Sequence, residues 1–184
     1  MDIDIDFADR QEALAILDHR IAAKSLHEKH NTGVYFHEIP HDCNNIATIN
    51  YKEAQKRGYF KLDFLNVHFY KDIKSEEHLQ QLRDMEPNWD LLEHVEFTNM
   101  LFQLNGHGEL VKQMKPRSIE QLAAVISLIR PGKKHLVGKP WDVVFQEVWS
   151  TVDDTGYAFK KSHSIAYALA IVVQINLICS TLIP

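Results

Sequence analysis

Met1-Asp2-Ile3-Asp4-Ile5-Asp6-Phe7 alternates acidic and apolar side chains without interruption. Successive side chains of a strand point to opposite faces, so Asp2, Asp4 and Asp6 share one face and Ile3, Ile5 and Phe7 the other. The apolar face can enter a core. The acidic face repeats carboxylates at roughly 6.6 Å, twice the strand rise, close enough for two of them to grip a pair of divalent ions about 3.5 to 4 Å apart. Acids at that spacing repel one another and favour protonation unless cations are supplied, and magnesium is the expected cation.

Read alone, such a strand is a solvated sheet edge. A second stretch, Gly58-Tyr59-Phe60-Lys61-Leu62-Asp63-Phe64-Leu65, changes that reading. Here Lys61 and Asp63 point one way while Leu62 and Phe64 point into the core. If the two strands are neighbours, Asp2, Asp4 and Asp63 hold two magnesium ions and Lys61 neutralises a triphosphate. That is the apparatus of phosphoryl transfer, in which the protein mainly positions reactants and offsets charge.

At these residues the chain resembles the C-family bacterial replicative DNA polymerases, the alpha subunits of DNA polymerase III. The palm of that family opens with an acidic strand like DIDIDF and closes its acidic triad at a motif like KLDFLNV, residues 61 to 67. The likeness continues in order. His30-Asn31-Thr32-Gly33-Val34 is similar to the family's His-Ala-Gly-Gly-Val, and Leu101-Phe102-Gln103-Leu104 to the start of its Val-Phe-Gln-Leu-Glu. Residues 119 to 132, IEQLAAVISLIRPG, resemble a helix ending in Arg-Pro-Gly. Residues 156 to 168, GYAFKKSHSIAYA, resemble Gly-Tyr-Gly-Phe-Asn-Lys-Ser-His-Ser-Ala-Ala-Tyr-Ala.

The resemblance implies template-directed DNA synthesis by two-magnesium nucleotidyl transfer. Asp2, Asp4 and Asp63 would be the catalytic metal ligands. Lys61, His30, Gly33, Arg130, Lys161, Ser162 and His163 would contact substrate, and a DNA primer-template and deoxynucleoside triphosphates would be the partners. Family members are far longer than 184 residues. Their thumb has no room between Ile16 and His30, and their Arg-Arg finger segment has no counterpart between Arg130 and Gly156. The family's upstream phosphate motif and distal modules are likewise unmatched. A second polymerase polypeptide or replisome component is therefore an expected partner, and so compact a gene suggests a bacteriophage or other mobile element. Within the motifs, Asn31 and Thr32 replace small residues, Asn66 a glycine and Asn105 a glutamate. The acids and Lys61 are intact.

Composition fits a globular chain, with 45% hydrophobic and 24% charged residues, long enough to bury a sizeable core. The net charge of −5 argues against a uniformly basic nucleic-acid binder. Charge is uneven, however: residues 1–99 hold 11 basic against 19 acidic side chains and residues 100–184 hold 9 against 6. The acidic part would hold metal and the basic part could meet phosphates, although much of the acidic excess is ordinary solvated surface. Cys43 and Cys179 lie in no ligand cluster or redox pair, which fits a reducing cytoplasm, and no secretory leader is visible. His27, His30, His37, His41 and Cys43 lack the paired spacings of structural zinc. Residues 165–183 are apolar enough to invite a membrane reading. Gln174, Asn176, Ser180 and Thr181 interrupt them, so a buried helix and no membrane partner are expected.

Periodicity indicates an α+β fold: a small mixed, palm-like sheet of the nucleotidyltransferase type, then a helical fingers-like half, forming one compact unit of residues 1–99 and 100–184. Asp9 can cap a helix whose apolar positions run from Ala13 to Ile21. Strands are expected at Val34–Ile39, Ile46–Tyr51 and Tyr59–Leu65, with helices from Val67 onward and loops at 131–140 and 153–161. Ser162 can cap a helix start and Arg130 can stabilise a helix C-terminus, roles compatible with substrate contact. Two functions remain: a polymerase palm, or a catalytically inactive, partner-binding remnant of one within a replication assembly. Intact acids favour chemistry.

Overall fold

The computed structural model describes residues 3–25, 28–150 and 159–182. The fold is α+β, and the backbone gathers into two units, Met1–Asp72 and Ile73–Pro184.

The first unit is a five-stranded mixed sheet. Its strands are β1 (Ile3–Phe7), β2 (Arg20–Ser25), β3 (Glu28–Tyr35), β4 (Ile46–Asn50) and β5 (Leu62–Asn66), in the order β1-β5-β3-β2-β4. Helix α1 (Arg10–Ile16) follows β1, α2 (Tyr51–Lys56) follows β4, and a 3-10 turn over His68–Asp72 closes the unit. Strand β1 runs parallel to β5 with Asp4 opposite Asp63 and Ile5 opposite Phe64. Strand β3 runs antiparallel to β5 with Gly33 opposite Asp63. A row across three strands therefore reads Asp4, Asp63, Gly33. The other face is aromatic: the Phe64 ring lies 4.5 Å from Phe7 and 5.5 Å from Phe36. Ala22, Ala23, Tyr35, Ile39, Ala47 and Ala54 form the small core of this unit.

Local chemistry explains the helix starts. The Asp9 carboxylate accepts from the Gln11 N–H at 2.9 Å, and the Asn50 side chain accepts from the Glu53 N–H at 2.9 Å. These are N-caps that satisfy otherwise orphaned amides. Gly58, at φ +88°, ends the turn after α2 where a side chain would be strained.

Three expectations are corrected. The helix from Asp9 stops at Ile16 because Leu17 is already extended, and Ile21 belongs to β2. Ala22-Ala23-Lys24 favours helix by propensity, but pairing with β3 on one side and β4 on the other overrides it. The strand expected at Val34–Ile39 instead begins at Glu28 and ends at Tyr35, and the last strand lies at Leu62–Asn66.

The second unit is helical: α3 (Glu76–Asp84), α4 (Val95–Met100), α5 (Gly108–Met114), α6 (Ile119–Leu128), α7 (Trp141–Glu147) and α8 (Lys161–Leu182), with 3-10 turns at Trp89–Glu93 and Pro131–Leu136. Its core surrounds α6, in which every residue from Leu122 to Leu128 is buried. The expected loop at 131–140 is thus partly a 3-10 turn, while most of the one at 153–161 lies outside the described residues. By length and composition α8 could cross a membrane, and half of its apolar window is buried within the protein. The polar residues that interrupt it are used internally. Asn176 donates to Leu82 and Met85 carbonyls, both at 2.8 Å, and Gln174 accepts from the Phe102 N–H at 2.7 Å. Ser164 meets Ser127 of α6 at 2.9 Å.

Candidate active site

Asp63 is the centre of the first unit's polar face and is 8% exposed. The Thr32 hydroxyl donates to its Oδ1 at 2.7 Å, and the Lys61 ammonium contacts its Oδ2. Asp4 stands beside it in register on β1. Because β1 and β5 are parallel, the paired residues project from the same face. Two carboxylates and one ammonium are thereby drawn together from positions 4, 61 and 63. Asp2, the remaining acid expected in the triad, lies outside the described residues.

His30 is fixed by backbone donors. Its Nδ1 accepts from the Gly33 N–H at 3.0 Å and lies 3.3 Å from the Thr32 N–H. An Nδ1 that accepts carries no proton, so the ring is the neutral Nε2–H tautomer. Burial and the Lys61 charge push the imidazole below its ordinary range, against the pull of Asp63. The 3.7 Å approach of His30 Nδ1 to Asp63 is therefore not an ion pair.

Gly33 makes this packing possible. A methyl group there would lie 2.7 Å from Lys61 Cδ, 3.0 Å from Ala22 Cβ and 3.1 Å from His30 Nδ1. The aliphatic stem of Lys61 crosses the bare backbone of Gly33, and its ammonium reaches 5.9 Å from the centre of the Tyr51 ring. Tyr51 in turn meets the His30 ring edge to face at 5.1 Å.

The third acid of the β1 alternation has a different environment. Burial and the charge of Asp4 push the Asp6 carboxyl up, while a hydrogen bond from Tyr70 pulls it down. The Tyr70 phenol is pushed up to about 12 by burial, the Asp6 charge and that same bond. Asp6 is thus tied to the 3-10 turn after β5.

The sequence reading missed Thr32 and Tyr51 as parts of this site. Thr32 stands where the similar family has a small residue, and Tyr51 reads as a strand terminus. The alternation of β3 puts Thr32 and Gly33 on opposite faces, so nothing in the pattern shows that the Thr32 hydroxyl reaches Asp63.

The remaining candidates, Arg130, Lys161, Ser162 and His163, belong to the second unit. Phe159 gathers two of them: the Arg130 guanidinium lies 4.7 Å from its ring centre and the His163 ring 6.4 Å. Arg130 also reaches Gln103 Oε1 at 3.3 Å. Lys161 stands 5.9 Å from the Trp149 ring, beside a cavity of about 300 Å³ lined by Glu120, Phe145 and Ile165. Helix α8 begins at Lys161, so exposed Ser162 sits inside the first turn and not at the cap.

Asp4 and Asp63 offer hard oxygen donors, the chemistry that suits magnesium, and the Lys61 ammonium shows that a cation is accepted at Asp63. Among the described residues, no group of three or more His, Cys, Asp or Glu side chains is gathered to hold a metal.

The sequence matches no protein-family model. The DNA polymerase III subunit alpha of Pseudomonas aeruginosa is 29% identical over 105 residues, which take in 47% of this chain. The match spans 9% of the length of that protein. The relationship is distant and partial, and it makes a DNA polymerase III alpha subunit a protein to which this chain is similar.

Proposed function

We propose that the Asp4 and Asp63 face is the centre of a nucleotidyltransferase that extends a DNA primer on a template. The observation that carries this reading is the register of Asp4 against Asp63 with Lys61 already on the second carboxylate. In this reading Asp4 and Asp63, with Asp2, hold two magnesium ions. Bound there, the metal supplies activation of the primer 3'-hydroxyl and stabilisation of the leaving pyrophosphate.

The chain's own residues position and neutralise. Lys61, now on Asp63, would turn to a triphosphate oxygen. Neutral His30 offers an Nε2–H donor without adding charge, and Gly33 keeps the floor low enough for Lys61 to lie across it. In the second unit Arg130, Lys161, Ser162 and His163 would contact the nucleotide or template. Deoxynucleoside triphosphates and a primer-template are the substrates, in the cytoplasm, with a second polypeptide supplying parts of a longer polymerase.

A second reading, a non-catalytic module that binds a replication protein, draws support from the engagement of Asp63 by Lys61 and Thr32. Primer extension with magnesium separates the two. Extension by the chain, lost in Asp63→Asn, supports synthesis; no extension by either, with or without a companion polymerase polypeptide, supports the binding module.

A further inference from the structure

Lys61 touches three things at once. Its ammonium is on Asp63 Oδ2, its stem lies over Gly33, and the face of Tyr51 is 5.9 Å from the charge, the outer range of a cation–π contact. Tyr51 is held from several directions. It is the first residue of α2, whose start is capped by Asn50. Its ring meets His30 edge to face at 5.1 Å and packs against the small core of the first unit. His30 is itself pinned by backbone amides.

The Thr32 hydroxyl holds Asp63 Oδ1 and the Lys61 ammonium holds Oδ2, so a divalent cation that takes Oδ2 displaces the ammonium by like-charge repulsion. An ammonium released into water gains nothing from the site and remains a competitor for Asp63. Released toward Tyr51, it keeps a favourable partner while staying within reach of a ligand phosphate.

We propose that Tyr51 is a positioning residue for Lys61: its ring face seats the ammonium when a divalent cation takes Asp63. This rests on the reading of Asp4 and Asp63 as a cation site. Lys61 is then an internal counter-ion that guards Asp63 in the empty site, and Tyr51 sets how readily it yields.

The test is Mn²⁺ titration of the full chain, followed by electron paramagnetic resonance. Tyr51→Phe keeps the ring and is expected to bind Mn²⁺ as the wild type does. Tyr51→Leu is expected to bind it roughly five- to tenfold more weakly, the scale of a partly desolvated cation–π contact. Should the leucine variant not fold, Tyr51→Met fills similar space without an aromatic face and carries the same expectation. Lys61→Gln should bind Mn²⁺ more tightly, and adding Tyr51→Leu to it should change nothing further. The proposal is overturned if Tyr51→Leu binds as the wild type does, or if its weakening persists without Lys61. Absence of Mn²⁺ binding by the wild type, or binding undiminished in Asp63→Asn, removes the cation site itself and this proposal with it.

Discussion

A methyl group at position 33 would fall 2.7 Å from Lys61 Cδ and 3.1 Å from His30 Nδ1. Lys61 can swing away, but Ala22 and the pinned His30 cannot, so Gly33→Ala is overpacked. The expected loss is about 1–3 kcal/mol in urea unfolding, accompanied by departure of Lys61 from Asp63. Asp6 supports a prediction with a defined sign. Burial holds its folded carboxyl above the ordinary value of 3.8, so between that value and the raised one the folded chain holds more protons than the unfolded. Stability therefore falls as pH rises through this window. Asp6→Asn should flatten that limb and be the more stable protein at neutral pH. In the same variant the Tyr70 phenol, raised in part by the Asp6 charge, should titrate lower than in the wild type, read from tyrosinate absorbance. His30 runs the other way. Its lowered imidazole contributes stability above the ordinary value of 6.5, lost as pH falls through the folded value.

Helices and strands show which forces decide local structure. The Asp9 cap and the period-two acids of β1 are local features, and they could be read from residues 2 to 9 alone. Strand β2 could not. Ala22, Ala23 and Lys24 carry no strand signal of their own, and only partners contributed by residues 28–35 and 46–50 make them extended. Asp63 was legible because Lys61-Leu62-Asp63-Phe64 alternates. The role of Thr32 was not, because a long-range contact leaves no periodic trace. In the second unit Asn176 is the clearest test of an element's role. It is 2% exposed and bonds two carbonyls at the end of α3. Asn176→Asp replaces that donor with a buried acid facing carbonyl oxygens and should cost about 3 kcal/mol, whereas Asn176→Leu should lose about 1–3 kcal/mol. Thermal melting of both variants ranks them.

At the scale of the whole molecule, charge limits how nucleic acid can be held. The net charge is −5, and residues 100–184 carry a surplus of only three basic side chains. Each phosphate neutralised on duplex DNA contributes about 0.9 to the magnitude of the slope of log K against log salt. Fluorescence anisotropy across salt concentrations is expected to give a slope no steeper than about −3 for this chain alone. A markedly steeper slope would mean that basic side chains in the acidic part, including Lys61, also reach phosphates. The edge position of β1 has a consequence for how the protein is made. Among the described residues strand β1 pairs with β5 and with no other strand, so during synthesis it leaves the ribosome long before its partner exists. Through that interval Ile3, Ile5 and Phe7 form a bare sticky ribbon, and alternating charge is what keeps such a ribbon from pairing with a neighbouring nascent chain. The carboxylates of Asp4 and Asp6 thus oppose self-association of the strand that also carries them onto the polar face.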